Sequence, residues 1–313
     1  MSETTSAFAS VGLFTGAPQH EHFDRLYRML PSSRMTASAS PHRFPDGERI
    51  ELPTSFHFDG AAVDTEQFLD VTDTAALLVL RDGAVVHEQY RLTGGREVQW
   101  ISWSVAKSFV SALVGIAVEQ GHIPSIDDPI SRYIDVEPGS AYDGVRIKDV
   151  LQMSSGARWN EDYSDRTSDV ARLGAAMAPG GSLDGFVATA APESAPGTVC
   201  QYNSTDTQAL GTLLVRATGR SITEYMQEHL YEPLGMESDG YWLLDATGRE
   251  MAFGGVNLTA RDFAKLGELY RLGGQWNGRQ VVPADWVAAS IVPDAPHLEW
   301  GRRRVRAAPT RTG

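Results

Sequence analysis

Trp100-Ile101-Ser102-Trp103-Ser104-Val105-Ala106-Lys107-Ser108-Phe109 runs directly into the apolar segment Val110 to Val118 and stops at Gly121. The pattern predicts one helix with reactive groups at its N-terminus. Ser104 and Lys107 are three residues apart, so a helix sets their side chains on one face and within mutual reach. Val105, Ala106, Phe109, Val110, Leu113 and Ile116 make that helix apolar nearly all the way round, as expected of one buried inside a protein. A serine hydroxyl is a weak nucleophile until a neighbouring base takes its proton, and a lysine is a base only when neutral. Bringing the amine from about 10.4 to near 7 costs about 4 kcal/mol, which a dry pocket supplies. Ser104 is thus the candidate nucleophile and Lys107 the candidate base. The chain has only two other lysines, Lys148 and Lys265, and these have Val145 and Asp262 at the serine position. Lys107 also has no acid at positions 103, 104, 110 or 111.

The 313 residues, 42% of them hydrophobic, are enough to bury a full core. A net charge of −13 and a pI near 5.0 exclude a nucleic-acid-binding surface, which needs basic groups facing phosphate. Cys200 is the single cysteine, so no internal disulfide forms. Met1-Ser2-Glu3-Thr4-Thr5-Ser6 lacks the basic and apolar regions of a secretion signal, and no apolar run approaches the length of a membrane span. The expectation is a cytoplasmic protein with no membrane segment.

Residues 1–60 are rich in Ser, Thr, Pro and Gly and read as an arm over a domain surface, with one short helix at His22 to Leu30. His20-Glu21-His22 lacks a third ligand and reads as a solvated stretch rather than a metal site. Ala75 to Leu80 and Val85 to Tyr90 flank Asp82-Gly83, the signature of a tight hairpin turn. Two strands cannot stand alone, so this hairpin should belong to a larger sheet. Ile147 to Met153 and Thr205 to Ala217 read as helices, the second closed by Gly219. Ser221-Ile222-Thr223-Glu224 and Thr259-Ala260-Arg261-Asp262 read as capping boxes, and residues 157–200 as irregular.

Read together with Gln201-Tyr202-Asn203-Ser204, the Ser104-Val105-Ala106-Lys107 segment resembles the serine β-lactamase-related hydrolases, and most of all their 6-aminohexanoate-dimer (nylon-oligomer) hydrolase branch. Supporting phrases are Val150 to Gly156, Pro196-Gly197-Thr198, Glu232-Pro233-Leu234-Gly235-Met236 and Gly254 to Asp262. The resemblance implies an α+β, β-lactamase-like fold over residues 61–295, with an antiparallel sheet flanked by helices and a mostly helical region at 102–290. It implies Ser104 as nucleophile, Lys107 as base and Tyr202 as proton shuttle to the leaving group, a task within a phenol's chemistry. Through Trp159-Asn160-Glu161-Asp162-Tyr163 it also implies a substrate contact at Tyr163. Trp100, Trp103 and Trp159 are candidates to wall an apolar acyl pocket, and equally to pack in the core. Asn203 is a candidate substrate contact and equally a cap for the helix that follows. No metal or organic cofactor is implied, and no Gly-x-Ser-x-Gly elbow occurs.

From Trp300 the composition changes: Gly301 to Gly313 holds five arginines and no acid. The family continues with further strands and a third motif, Lys/His-x-Gly, so residues 296–313 read as a truncated terminus with the C-terminal strands missing. That strand would supply the second oxyanion donor beside the Ser104 backbone N–H. The expected function is a serine hydrolase that forms an acyl-enzyme on amide or ester bonds of small molecules, with 6-aminohexanoate oligomers as one substrate class. The alternatives are a β-lactamase or D-peptidase, or a catalytically impaired homologue. The sequence sets no oligomeric state.

Overall fold

The computed structural model describes residues 18–299 of the chain. The arginine-rich stretch 300–313, and with it the expected truncation and the third motif, lies outside them. In chain order, two one-turn helices, α1 (His20–Phe23) and α2 (Leu26–Met29), lead into β1 (Ser32–Met35). The hairpin of β2 (Ser55–Phe58) and β3 (Ala61–Asp64) precedes α3 (Thr65–Val71) and a second hairpin, β4 (Ala76–Arg81) with β5 (Ala84–Tyr90). β6 (Trp100–Ile101) then enters α4 (Ala106–Glu119) through a 3-10 turn at Trp103–Val105. The helical middle consists of α5 (Ile147–Leu151), α6 (Asp169–Ala175), α7 (Leu183–Ala188), α8 (Ser204–Thr218) and α9 (Ile222–Met226). β7 (Gly240–Leu243), β8 (Val256–Leu258), α10 (Ala260–Arg271), the small hairpin β9 (Gln275–Trp276) and β10 (Arg279–Gln280), and α11 (Ala284–Ile291) follow.

The strands β1, β7, β8 and β6 hydrogen-bond in that order into an antiparallel sheet. Sheet and helical region are therefore both present, as an α+β fold. The outer strand β1 comes from the segment read as a surface arm: Ser32 to Met35 pair with Leu243 to Gly240. Four residues of Ser-Ser-Arg-Met carry no alternation that would have marked a strand.

Asp82 and Gly83 take φ angles of 51° and 78°, so the hairpin turn forms as its residues require. The hairpin does not join the four-stranded sheet. Its β5 edge is instead engaged by an extended strap: the Val85 N–H donates to Pro45, and the N–H groups of Gly47 and Ile50 donate to Val85 and Val86. Helix α10 lies against β4 and anchors to β5 through the two-point Arg261–Glu88 pair at 2.8 and 2.6 Å. Residues 157–200, read as irregular, contain α6 and α7, capped by Ser168 and Ser182. Helices this short show too few turns for a period to emerge.

Helix α4 is buried over most of its surface, with Ala106, Phe109, Val110, Ala112, Leu113, Val114, Gly115, Ile116 and Ala117 inside and Ser108 and Glu119 exposed. It packs against α8 in the larger of two apolar clusters. The smaller cluster gathers Leu26, Ile101, Trp159, Leu243, Met251 and Phe253. No helix among the described residues is long and apolar enough to cross a membrane.

Two helical glycines predict opposite outcomes. A Cβ on Gly115 would sit 2.6 Å from the Trp286 ring of α11, whereas one on exposed Gly267 in α10 meets nothing within 4 Å. Gly115→Ala should therefore lower unfolding stability by about 1–3 kcal/mol through overpacking. Gly267→Ala should raise it by about 0.5–1 kcal/mol through helix propensity. Urea unfolding checks both, and a neutral Gly115→Ala would contradict the close approach of α4 and α11.

Candidate active site

Antiparallel pairing of β6 with β8 brings two distant segments to one point. Ile101, the last residue of β6, faces Asn257 near the start of β8, and the Ser102 N–H donates to the Val256 carbonyl at 2.7 Å. Ser104 follows β6 and Phe253 precedes β8, so the helix start and the 251–255 turn meet at the same end of the sheet. Trp103 lies between strand and helix with φ of 43°, a left-handed conformation that costs a bulky residue on the order of 1 kcal/mol or more. Its ring packs edge-on against Phe23 at 5.4 Å, and its carbonyl accepts the Ser102 hydroxyl at 2.9 Å.

The Ser104 hydroxyl is exposed and reached from two sides. The Lys107 Nζ lies 3.1 Å from Ser104 Oγ, and the Tyr202 hydroxyl 2.5 Å from it. Lys107 Nζ also donates to the Phe253 carbonyl at 2.8 Å and sits 5.0 Å from the centre of the Tyr202 ring. A neutral amine in this position donates one hydrogen to the carbonyl and keeps its lone pair for the serine proton. Burial lowers the Lys107 amine to about 8, against the opposing pull of the Glu161 carboxylate. Burial also pushes the Tyr202 phenol above its ordinary value, against the lowering effect of its hydrogen bonds with Ser104 and Ser204.

Of the residues singled out in the sequence, Ser104, Lys107 and Tyr202 meet at one point. Tyr163 stands nearby and is mostly exposed; its hydroxyl donates to Glu161 at 2.8 Å, and burial together with that carboxylate raises its phenol. Trp159 is buried in the smaller cluster, and its indole donates to the other Glu161 oxygen at 3.1 Å. Trp103 is half-buried against that cluster. Asn203 is buried at the start of α8, where its side-chain oxygen accepts the Thr205 N–H at 2.8 Å. That contact is a helix cap, and the Asn203 Nδ2 has no hydrogen-bond partner among the described residues. Sequence reasoning missed two contributors. The Phe253 carbonyl is a backbone group with no residue signature, and Glu161 lay inside a quoted phrase whose tyrosine drew the attention.

The fold, with a serine and a lysine at the start of one central helix, is that of the serine hydrolases of the β-lactamase type. Comparison with known proteins agrees. The Beta-lactamase family profile matches residues 65–307. A 6-aminohexanoate-dimer hydrolase of Paenarthrobacter ureafaciens is 33% identical over 281 residues, covering 86% of this chain and 69% of that protein. Among solved structures, a Bacillus anthracis protein provisionally assigned as a 6-aminohexanoate-dimer hydrolase superposes with a TM-score of 0.81 at 22% identity, covering 88% of this chain and 74% of its own. A penicillin-binding protein of Bacillus halodurans gives 0.58 at 17% identity, covering 73% and 78%. The chain belongs to the β-lactamase family of serine hydrolases.

The position of Lys107 predicts a pH dependence. Only the neutral amine can take the serine proton, so reaction of Ser104 with a fluorophosphonate should rise about tenfold per pH unit below about 8 and level off above it. Labelling rates from about pH 6 to about pH 10 check this, and a flat profile would remove Lys107 as the base.

Proposed function

We propose that this chain hydrolyses small amides and esters through an acyl-enzyme on Ser104. One observation carries the reading: the Ser104 oxygen has the Lys107 amine at 3.1 Å on one side and the Tyr202 phenol at 2.5 Å on the other. In the proposed reaction Lys107 accepts the serine proton as Oγ attacks the substrate carbonyl, and the ammonium formed is held by the Phe253 carbonyl. The tetrahedral oxyanion is met by the Ser104 N–H in the 3-10 turn that leads into α4. Tyr202 gives its proton to the leaving amine and is replenished from Lys107, and the same relay runs in reverse when water attacks the acyl-enzyme.

The 33% identical relative named for the 6-aminohexanoate dimer points to linear amides of amino acids with long methylene chains as the substrate class. Glu161 supports this choice. Its carboxylate acts electrostatically on Lys107, Tyr163 and Tyr202, so a fixed negative charge borders the site. A free ammonium on the substrate is attracted to such a charge.

The direct test is covalent labelling. A fluorophosphonate should modify Ser104 in the parent chain and fail to do so in Lys107→Ala, whereas comparable labelling of both would remove the lysine from the mechanism. Tyr202→Phe should slow turnover of the aminohexanoate dimer by about a hundredfold, with a smaller loss on p-nitrophenyl esters, whose leaving group needs no proton. Equal losses on both substrates would sink the relay role. Glu161→Gln should raise KM for the dimer by about three- to tenfold and leave KM for a neutral ester unchanged. A KM for the dimer that does not move would show that Glu161 does not read the ammonium.

A further inference from the structure

Asp206, two residues into α8 and four beyond Tyr202, is completely buried. Its Oδ1 accepts the Tyr142 hydroxyl at 2.8 Å and the Ser155 hydroxyl at 2.6 Å. Its Oδ2 is buried and has no hydrogen-bond partner among the described residues. A carboxylate in this place would hold a bare charge on an unsolvated oxygen, whereas a carboxylic acid does not.

The three groups joined at Oδ1 come from separate parts of the chain. Tyr142 is completely buried in the connection ahead of α5. Ser155 lies in the turn after α5, from which the chain runs to Trp159, Glu161 and Tyr163. Asp206 opens the helix that directly follows Tyr202. A second tie runs parallel, from the Gln201 side chain to the Trp159 carbonyl at 2.9 Å.

We propose that Asp206 is a positioning residue that acts as an un-ionised acid, clamping the start of α8, and with it Tyr202, to the turn that leads to the Glu161 and Tyr163 loop. This rests on the acyl-transfer reading of Tyr202 above.

Burial lifts the Asp206 carboxyl to about 7, in spite of the hydrogen bonds from Ser155 and Tyr142 that pull the other way. Among the described residues Tyr142 is the one titratable group that bonds it, and its phenol is pushed well above the ordinary value by burial and by Asp206. The charged side chains on the helices packed around α8 are turned elsewhere. On α4, Lys107 bonds Ser104 and Phe253, and Glu119 borders a separate small cavity. On α5, Lys148 pairs with Asp294, and Asp149 with Arg146. On α7, Asp184 pairs with Arg249, and on α9, Glu224 closes the Ser221 capping box. Among the described residues no charge compensates an ionised Asp206.

The test compares the full-length parent with Asp206→Asn and Asp206→Ala, using turnover of the aminohexanoate dimer normalised to active sites counted by fluorophosphonate. Asparagine keeps the acceptor oxygen and cannot ionise, while alanine removes the acceptor. Near pH 6, Asp206→Asn should keep kcat within about threefold of the parent, and Asp206→Ala should lose about tenfold or more in kcat with KM little changed. The parent's kcat relative to Asp206→Asn should fall as pH rises through about 7.

Thermal midpoints add a readout independent of activity. The native state keeps a proton that the unfolded chain releases near pH 4, so the native state binds more protons than the unfolded one over that interval. The parent should lose stability relative to Asp206→Asn from about pH 4 to about pH 7, and run parallel to it above.

A midpoint difference that does not change with pH overturns the un-ionised acid. An active parent whose Asp206→Ala variant keeps its kcat per active site overturns the positioning role alone. A parent inactive on amide and ester alike overturns the functional reading and this role with it.

Discussion

A lysine amine held without a carboxylate partner is the constraint on which this site depends. Lys107 meets a serine oxygen, a backbone carbonyl and an aromatic face, none of which carries a charge. Moving an amine from 10.5 to about 8 corresponds to about 3 kcal/mol that favours its neutral form. The sequence reasoning asked for a value near 7. The Glu161 charge pulls the amine upward, against the effect of burial. Near neutral pH about a tenth of the protein would carry the base in its active form. In the proposed reaction a substrate ammonium bound beside Glu161 would offset that pull.

The fold serves this constraint by placing the pair at the seam of two apolar clusters. Ala106 and Phe109 belong to the larger cluster, and Ile101, Trp159 and Phe253 to the smaller. The β6–β8 pairing fixes the helix start against the 251–255 turn, and the α4–α8 packing fixes it against Tyr202. Trp103 bears the local strain of the junction. Its left-handed backbone is held by the Phe23 contact and by the Ser102 hydroxyl, as expected where surrounding structure over-determines an unfavourable conformation.

Features set by neighbours in the chain were legible beforehand. The Ser104–Lys107 spacing, the Asp82-Gly83 turn, the Ser221 capping box and the left-handed Gly219 closing α8 each depend on a few consecutive residues. The four-stranded sheet was not legible strand by strand. Its members are two to four residues long, too short for alternation to register, and they come from opposite ends of the described chain. The site divides in the same way. Ser104 and Lys107 announce themselves by type and spacing and Tyr202 through the family resemblance, whereas the Phe253 carbonyl could be found only by folding the chain. Asn203 left two readings open because its amide suits both a cap and a ligand; its oxygen caps α8, and its Nδ2 has no hydrogen-bond partner among the described residues.

The central claim concerns one amine, and the chain carries only three lysines. Lysine labelled at the ε-carbon and nitrogen would therefore give a spectrum simple enough to assign by a single Lys107→Ala variant. The account predicts one resonance that titrates near 8 and disappears in that variant. Three resonances that all stay protonated to about pH 10 would contradict it, because the amine beside Ser104 would then be an ordinary cation and no base.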